Sequence, residues 1–236
     1  MGGHAIFLAS ESTQMDRGET LSDTAKVLSE MVDIIMVRTH DHGEIEGLAN
    51  HASVPVINGL TEKCHPCKLL ADMQTFYEIK GPVKGKKVAW VGDGNNMCNS
   101  YINAAKILDF ELKIATPSGY EPDEKLLSLA GKNVEICDLP GKAVEDCDLV
   151  STDVWSSMGT EPEKEKKHNL FKSYQINQHL IEKAKPDAIF MHCLPAHRGE
   201  EVEAEVIDGK QSVVWQQAQN RLHTSKALIE FLLNEN

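Results

Sequence analysis

Ile189-Phe190-Met191-His192-Cys193-Leu194-Pro195-Ala196-His197-Arg198-Gly199 is an apolar run that stops abruptly at His-Cys and a proline. A run this short predicts a buried strand that delivers its last side chains to a sheet edge, where open α/β sheets bind their ligands. His192 and Cys193 are therefore candidate site residues. In isolation such a pair is more often a core cysteine beside a loop histidine. Working outward, short apolar runs at 88–91, 112–115, 134–136, 148–151, 188–191 and 213–215 predict strands, and helical patterns lie between them at 98–108, 122–130, 143–146 and 177–184. Alternation this regular predicts α/β architecture with a doubly wound parallel sheet, a Rossmann-like domain over residues 81–215.

The first third of the chain repeats the pattern on a smaller scale. Apolar runs at 5–8, 34–38 and 54–57 predict strands. Thr20-Leu21-Ser22-Asp23 has capping-box spacing, and Leu21, Ala25, Leu28 and Val32 then share one helical face. Helices are also predicted over 44–51 and 69–79, the latter begun by Pro66 in its first turn and stopped at Gly81-Pro82. The domain boundary falls there, so residues 1–80 form a second α/β unit together with its linker helix. A core strand at 5–8 is an unusual opening for a domain, and the expectation is that elements normally preceding it are not among these residues. Glu161 to Lys167, a run of mixed charge, reads as a solvated helix face. Residues 216–236 read as a final amphipathic helix that packs back on the first unit.

Composition removes several function classes. With 236 residues and 41% hydrophobic content the chain can bury a sizeable core. A net charge of −12 argues against nucleic-acid or anionic-membrane partners, which want clustered Lys and Arg. Any anionic substrate must be held by a few local cations. Six cysteines without a compact framework suit a reducing cytoplasm. No stretch is long and apolar enough to span a bilayer, and the N-terminal residues lack both the basic start of a signal peptide and the Ser or Thr that myristoylation wants at position six, where Ile6 stands.

Val88-Ala89-Trp90-Val91-Gly92-Asp93-Gly94-Asn95-Asn96 places Gly-x-Gly after a strand. The third glycine of a dinucleotide fingerprint should fall at Met97, which is bulky, and no acidic residue follows the next strand to hold a ribose. Asn95 and Asn96 sit instead at a helix start, where amides can cap the helix or bind a zwitterionic amino acid. Asp153 and the Ser157-Met158-Gly159 turn follow the strand ending at Ser151 and so lie at the same sheet edge; a carboxylate there can fix an ammonium group, or simply make an Asx-turn.

Taken in order, His65-Pro66-Cys67-Lys68, Gly92-Asp93-Gly94-Asn95-Asn96, Asp153-Val154-Trp155-Ser156-Ser157-Met158-Gly159, His192-Cys193-Leu194-Pro195 and Asn220-Arg221 resemble the ornithine carbamoyltransferases. The resemblance runs from Gly2 to the last helix. It implies transfer of a carbamoyl group from carbamoyl phosphate to L-ornithine, giving L-citrulline and phosphate, with no metal or organic cofactor, in a cytoplasmic homotrimer. It further implies that Asn96 contacts the α-amino and carboxylate groups of ornithine, that Asp153, Ser157 and Met158 close over it, and that Cys193 and Asp153 bracket its δ-amine with Leu194 beside them. Arg38 and His65 match residues that donate to the carbonyl oxygen, and Arg221 matches a further arginine aimed at the same centre. The loop with Gln14 and Arg17 is implied to reach a neighbouring subunit's site.

Two departures stand out. The family's Ser-Thr-Arg-Thr-Arg phosphate turn is nowhere in the chain, so the expectation is that residues 1–80 are a remnant lacking the carbamoyl-phosphate-binding segment and turn over poorly. Lys68 stands where the family has a glutamine; a protonated lysine can only donate, and it is expected to misorient the carbamoyl group unless it deprotonates or pairs with phosphate. Two alternatives follow: a carbamoyltransferase for another amine such as putrescine or acylated ornithine, against which the Ser157-Met158-Gly159 turn argues, and an inactive amino-acid-binding fragment.

Overall fold

The structure, a computed structural model, describes residues 2–9, 18–155 and 161–234. Its first unit opens with α1 (Leu21–Ser29), capped by the Thr20 side chain, which accepts the Asp23 N–H at 3.1 Å. β1 (Ile35–Arg38) leads through α2 (His42–His51), capped by Asp41, to β2 (Val56–Leu60). The two strands pair in parallel, with Ile35 beside Val56. α3 (Pro66–Lys80) follows; Pro66 occupies its first turn, where no N–H is needed, and Gly81 at φ 75° ends it.

The second unit is a five-stranded parallel sheet in the order β5-β4-β3-β6-β7. Its strands are β3 (Lys87–Val91), β4 (Glu111–Ala115), β5 (Val134–Cys137), β6 (Leu149–Thr152) and β7 (Ile189–His192). α4 (Asn96–Leu108), α5 (Glu124–Ala130), α6 (Pro140–Val144), α7 (Glu161–Phe171), α8 (Gln178–Ile181) and α9 (Ala204–Ile207) cover it, and α10 (Val214–Asn234) closes the chain. Burial explains the near-continuous apolar strands. Along β3, Val88 and Trp90 enter one core with Leu112, Ile114, Leu149 and Met191, while Ala89 and Val91 enter the other with Val150 and Phe190. The chain builds outward from β3 through β4 to β5, then returns to the other side of β3 for β6 and β7. Strand order therefore reverses between β3 and β6, which opens a crevice beyond their carboxyl ends.

α10 lies along α3. Its Asn220 donates to Thr75 Oγ1 at 2.9 Å and to Glu78 at 2.8 Å, and Gln216 reaches Glu78 as well.

Three expectations need correction. Residues 5–8 are neither a strand nor buried; Phe7 is 90% exposed, and β1 takes only β2 as a neighbour among the described residues, so nothing pairs with the 5–8 backbone. Residues 213–215 belong to no strand. Ser212 bridges Phe190 and the Val213 N–H donates to the Phe190 carbonyl, but Val214 then begins α10. Finally, 161–167 is helical as expected without being wholly solvated, because Lys167 turns inward.

Candidate active site

Five carboxyl ends converge on the site: β1 ends at Arg38, β2 leads into Thr61 to His65, β3 into Gly92 to Asn95, β6 into Asp153 and β7 into Cys193.

The Gly-x-Gly turn is filled from within. A Cβ on Gly94 would stand 2.3 Å from Pro122 N, and the Gly94 N–H donates to the Tyr120 carbonyl at 2.9 Å. Gly92 sits at φ 136° with Thr152 Oγ1 3.1 Å from where its Cβ would be. The backbone of 120–122 occupies the approach that a pyrophosphate needs, which explains the glycines without a dinucleotide. Asp93 turns to Lys167 at 2.6 Å, and Lys167 Nζ lies over the Tyr120 ring at 4.9 Å. This pair, with Trp155 packed edge-on against His168, docks α7 beside the crevice.

Asn95 caps α4 by accepting the Met97 and Cys98 N–H groups on Oδ1. Its Nδ2 donates to Asp153 Oδ2 at 3.1 Å, while Asp153 Oδ1 accepts the Val154 N–H at 2.9 Å. Burial pushes the Asp153 carboxyl up, against the pull of those donors and of the Lys68 ammonium. Across from it the Cys193 thiol is driven well above its ordinary range, first by burial and then by the Asp153 charge. At neutral pH Cys193 is a thiol. Leu194 follows in the left-handed region at φ 47°, a costly conformation for leucine, with its N–H bound to His192 Nδ1 at 2.8 Å.

On the facing side, His65 is half-buried and its Nδ1 has no hydrogen-bond partner. Desolvation pulls its pKa down to about 4, helped by the Arg221, Lys68 and Arg38 charges, so the ring is neutral at pH 7. Its backbone N–H donates to Ser100 Oγ at 2.8 Å. Asn96 donates to the Thr61 carbonyl at 2.7 Å and Asn99 to the Lys63 carbonyl at 3.1 Å, so α4 holds the loop that carries His65. Arg38 and Arg221 are exposed and have no ion-pair partner among the described residues.

Lys68 is 2% exposed, and its Nζ donates to Asp72 Oδ1 at 2.6 Å. Tyr101 OH donates to Asp72 Oδ2 at 3.0 Å and Gln217 Nε2 to Oδ1 at 2.7 Å. Lys68 is thus paired internally with a carboxylate one helical turn away, an outcome that the comparison with a family glutamine does not suggest. The Lys68-x-x-x-Asp72 spacing was the available signal. Asn95 caps α4 as its place at the helix start suggests, whereas Lys167 is a further contributor that no motif marks out. The structure brings Arg38, His65, Lys68, Asp153, Cys193 and Arg221 within one another's electrostatic reach. Asn96 spends its amide nitrogen on the Thr61 carbonyl, and Gln14, Arg17, Ser157 and Met158 lie outside the described residues.

Similarity to known proteins agrees with this geometry. Residues 84–232 match the aspartate/ornithine carbamoyltransferase Asp/Orn binding domain, and residues 1–78 match the carbamoyl-P binding domain of the same family. The second match corrects the expectation that the chain lacks that part of the family: the domain is represented. An ornithine carbamoyltransferase of Methylococcus capsulatus is 58% identical over 98% of this chain and 78% of its own length, and that of Nitrosococcus oceani is 58% identical over 99% and 77%. Among solved structures, the ornithine carbamoyltransferase from Pyrococcus furiosus superposes with a TM-score of 0.94 at 51% identity, over 99% of this chain and 77% of that one. The Burkholderia thailandensis enzyme gives 0.90 at 51% identity, over 98% and 76%. Topology, the residues at the crevice and these similarities converge, and the chain belongs to the ornithine carbamoyltransferase family.

Proposed function

We propose that this chain transfers the carbamoyl group of carbamoyl phosphate to the δ-amine of L-ornithine, giving L-citrulline and phosphate. The observation that carries the reading is Asp153, a half-buried carboxylate oriented by Asn95 at the switch point and facing the Cys193 thiol. A carboxylate so placed suits an alkylammonium far better than a second anion. Ornithine's δ-ammonium, with an ordinary pKa of about 10.4 like that of lysine, must lose a proton before its nitrogen can attack the carbonyl carbon. A C–N bond forms, and negative charge builds on the carbonyl oxygen. His65, neutral because its pKa lies near 4, donates an N–H there, with the Arg38 and Arg221 guanidiniums adding positive charge. Collapse breaks the C–O bond to phosphate, which leaves with the second amine proton.

A homotrimer is our reading of the assembly, with the loop of Gln14 and Arg17 reaching a neighbour. It is supported by the family and by the exposed Val27, Met31 and Met36 on the first unit. A cytoplasmic setting is supported by the family and by six free cysteines, none paired. No helix among the described residues is long and apolar enough to cross a membrane.

The test is calorimetry with L-ornithine beside an assay for citrulline and phosphate. Equal amounts of the two products are expected, with Asp153→Ala weakening ornithine binding by about 100-fold, since removing one partner of a buried charge pair costs about 2–5 kcal/mol. Unchanged binding in that variant would overturn the site. Ornithine binding with no citrulline at any carbamoyl phosphate concentration would favour an amino-acid-binding role, and turnover of putrescine or acylated ornithine in preference would change the substrate.

A further inference from the structure

The turn that follows β7 holds a second polar cluster, which carbamoyl transfer does not use. His192 is fully buried, and its Nδ1 accepts the Leu194 N–H at 2.8 Å. The ring proton therefore sits on Nε2, which donates to Glu201 Oε1 at 3.0 Å. That same oxygen accepts the His197 N–H at 2.6 Å. Glu201 is 0% exposed, yet its other oxygen, Oε2, is buried with no hydrogen bond at all. The nearby Arg198 does not compensate it, because its guanidinium is committed to Asp208 at 2.7 Å. A buried carboxylate oxygen left without a donor leaves room for a cation.

Oε2 faces His197 Nδ1 at 3.7 Å, too far for a hydrogen bond. The donor atoms of His197, Glu200 and Glu201 all lie within 4.8 Å of one another. Two tetrahedral ligands, each about 2.0–2.1 Å from a zinc ion, stand about 3.4 Å apart, so a small contraction brings this trio onto one metal. We propose that His197 Nδ1, Glu201 Oε2 and the Glu200 carboxylate hold a divalent cation of the zinc class, with water in the remaining position. Imidazole with carboxylates suits zinc or cobalt better than magnesium or calcium. His197 and Glu200 are exposed and give the ion a way in. His192 is the outer partner, since its Nε2–H holds the non-ligating oxygen and fixes the carboxylate's orientation. The ion would brace the turn from behind while Cys193 and Leu194 face the crevice.

The experiment titrates zinc alone into the chelator-treated 236-residue chain by calorimetry, and repeats the titration with cobalt followed by absorption. One-to-one binding is expected. It should weaken on the order of 10-fold or more in His197→Ala and in Glu200→Gln, both exposed changes whose folding is checked by circular dichroism, and persist in Cys193→Ser and in Cys64→Ser/Cys67→Ser. Cobalt should show ligand-field bands without a sulfur-to-cobalt charge-transfer band. Binding indifferent to His197→Ala would overturn the site, as would a charge-transfer band that disappears with a cysteine. Failure of the chain to bind zinc in the micromolar range would also overturn it and leave Glu201 paired with a His197 imidazolium.

Discussion

β3 and β6 each have a strand on both sides, are buried at nearly every position and end in the Gly92 turn and Asp153. Among the described residues β1 has a single neighbour, leaves Met36 66% exposed and ends in Arg38, which has no ion-pair partner there. Both sheets present their candidate site groups at carboxyl ends, but among the described residues only the larger one fixes those groups with neighbours on every side. Asp153 has two hydrogen-bond donors and sits in a packed crevice. Two strands alone are marginal in water. The first unit is braced from outside by α4, by α10 and by the bonds that Tyr101 and Gln217 make to its Asp72.

Removing that external support should have the largest effect. Asp72→Ala would leave the Lys68 ammonium buried without a partner and take an acceptor from Tyr101 and Gln217. A loss of about 3–5 kcal/mol in urea unfolding is expected. An unchanged midpoint would mean that the first unit stands by itself. Hydrogen exchange measures the contrast directly. Amides of β3 and β6 should exchange about 100-fold more slowly than those of β1 and β2, reflecting separate local openings; equal protection would make the two sheets one cooperative unit.

A smaller effect tests the larger sheet from inside. Gly94→Ala puts a methyl group 2.3 Å from the Pro122 nitrogen, which is backbone and cannot swing away. Overpacking of this kind costs about 1–3 kcal/mol and should displace 120–122, visible as a lower melting temperature and weaker docking of Lys167. Full stability would mean that the turn is slack.

A separate test is one of pH. His65 has a folded pKa near 4 against an ordinary value of 6.5, so between those values the unfolded chain binds a proton that the folded chain refuses. This contribution is complete above pH 6.5 and is lost as pH falls toward 4. His65→Gln should flatten that part of the melting-temperature profile, and identical slopes in the two proteins would place the ring in ordinary solvent.

The alternation of short apolar runs with helical patterns made the five-stranded sheet legible, since buried parallel strands must be apolar on both faces. The same rule misled at 213–215, where Val214 is buried in the first turn of a helix, and at 5–8, where an apolar run finds no ladder partner among the described residues. The candidate site could be assembled from residues whose chemistry sits in compact motifs, such as Asp153 and Cys193. The bond of Asn95 to Asp153 and the role of Lys167 were not legible, because they depend on partners 58 and 74 positions away. Asp72 is an intermediate case: its pairing with Lys68 is local, but its bonds to Tyr101 and Gln217 span 29 and 145 positions.

The hold of α4 on the 61–65 loop bears on modularity. Asn96, Asn99 and Ser100 each bond a backbone group of Thr61, Lys63 or His65, so His65 is encoded in one unit and indexed by the other. A chimaera cut at residue 81, joining this first unit to a relative's second, would keep the chain order but exchange the coordinate frame in which His65 is placed. The inheritable functional module is therefore not the folding unit but the seam between two of them, and recombination that respects that seam must carry residues 61–65 and 96–100 together.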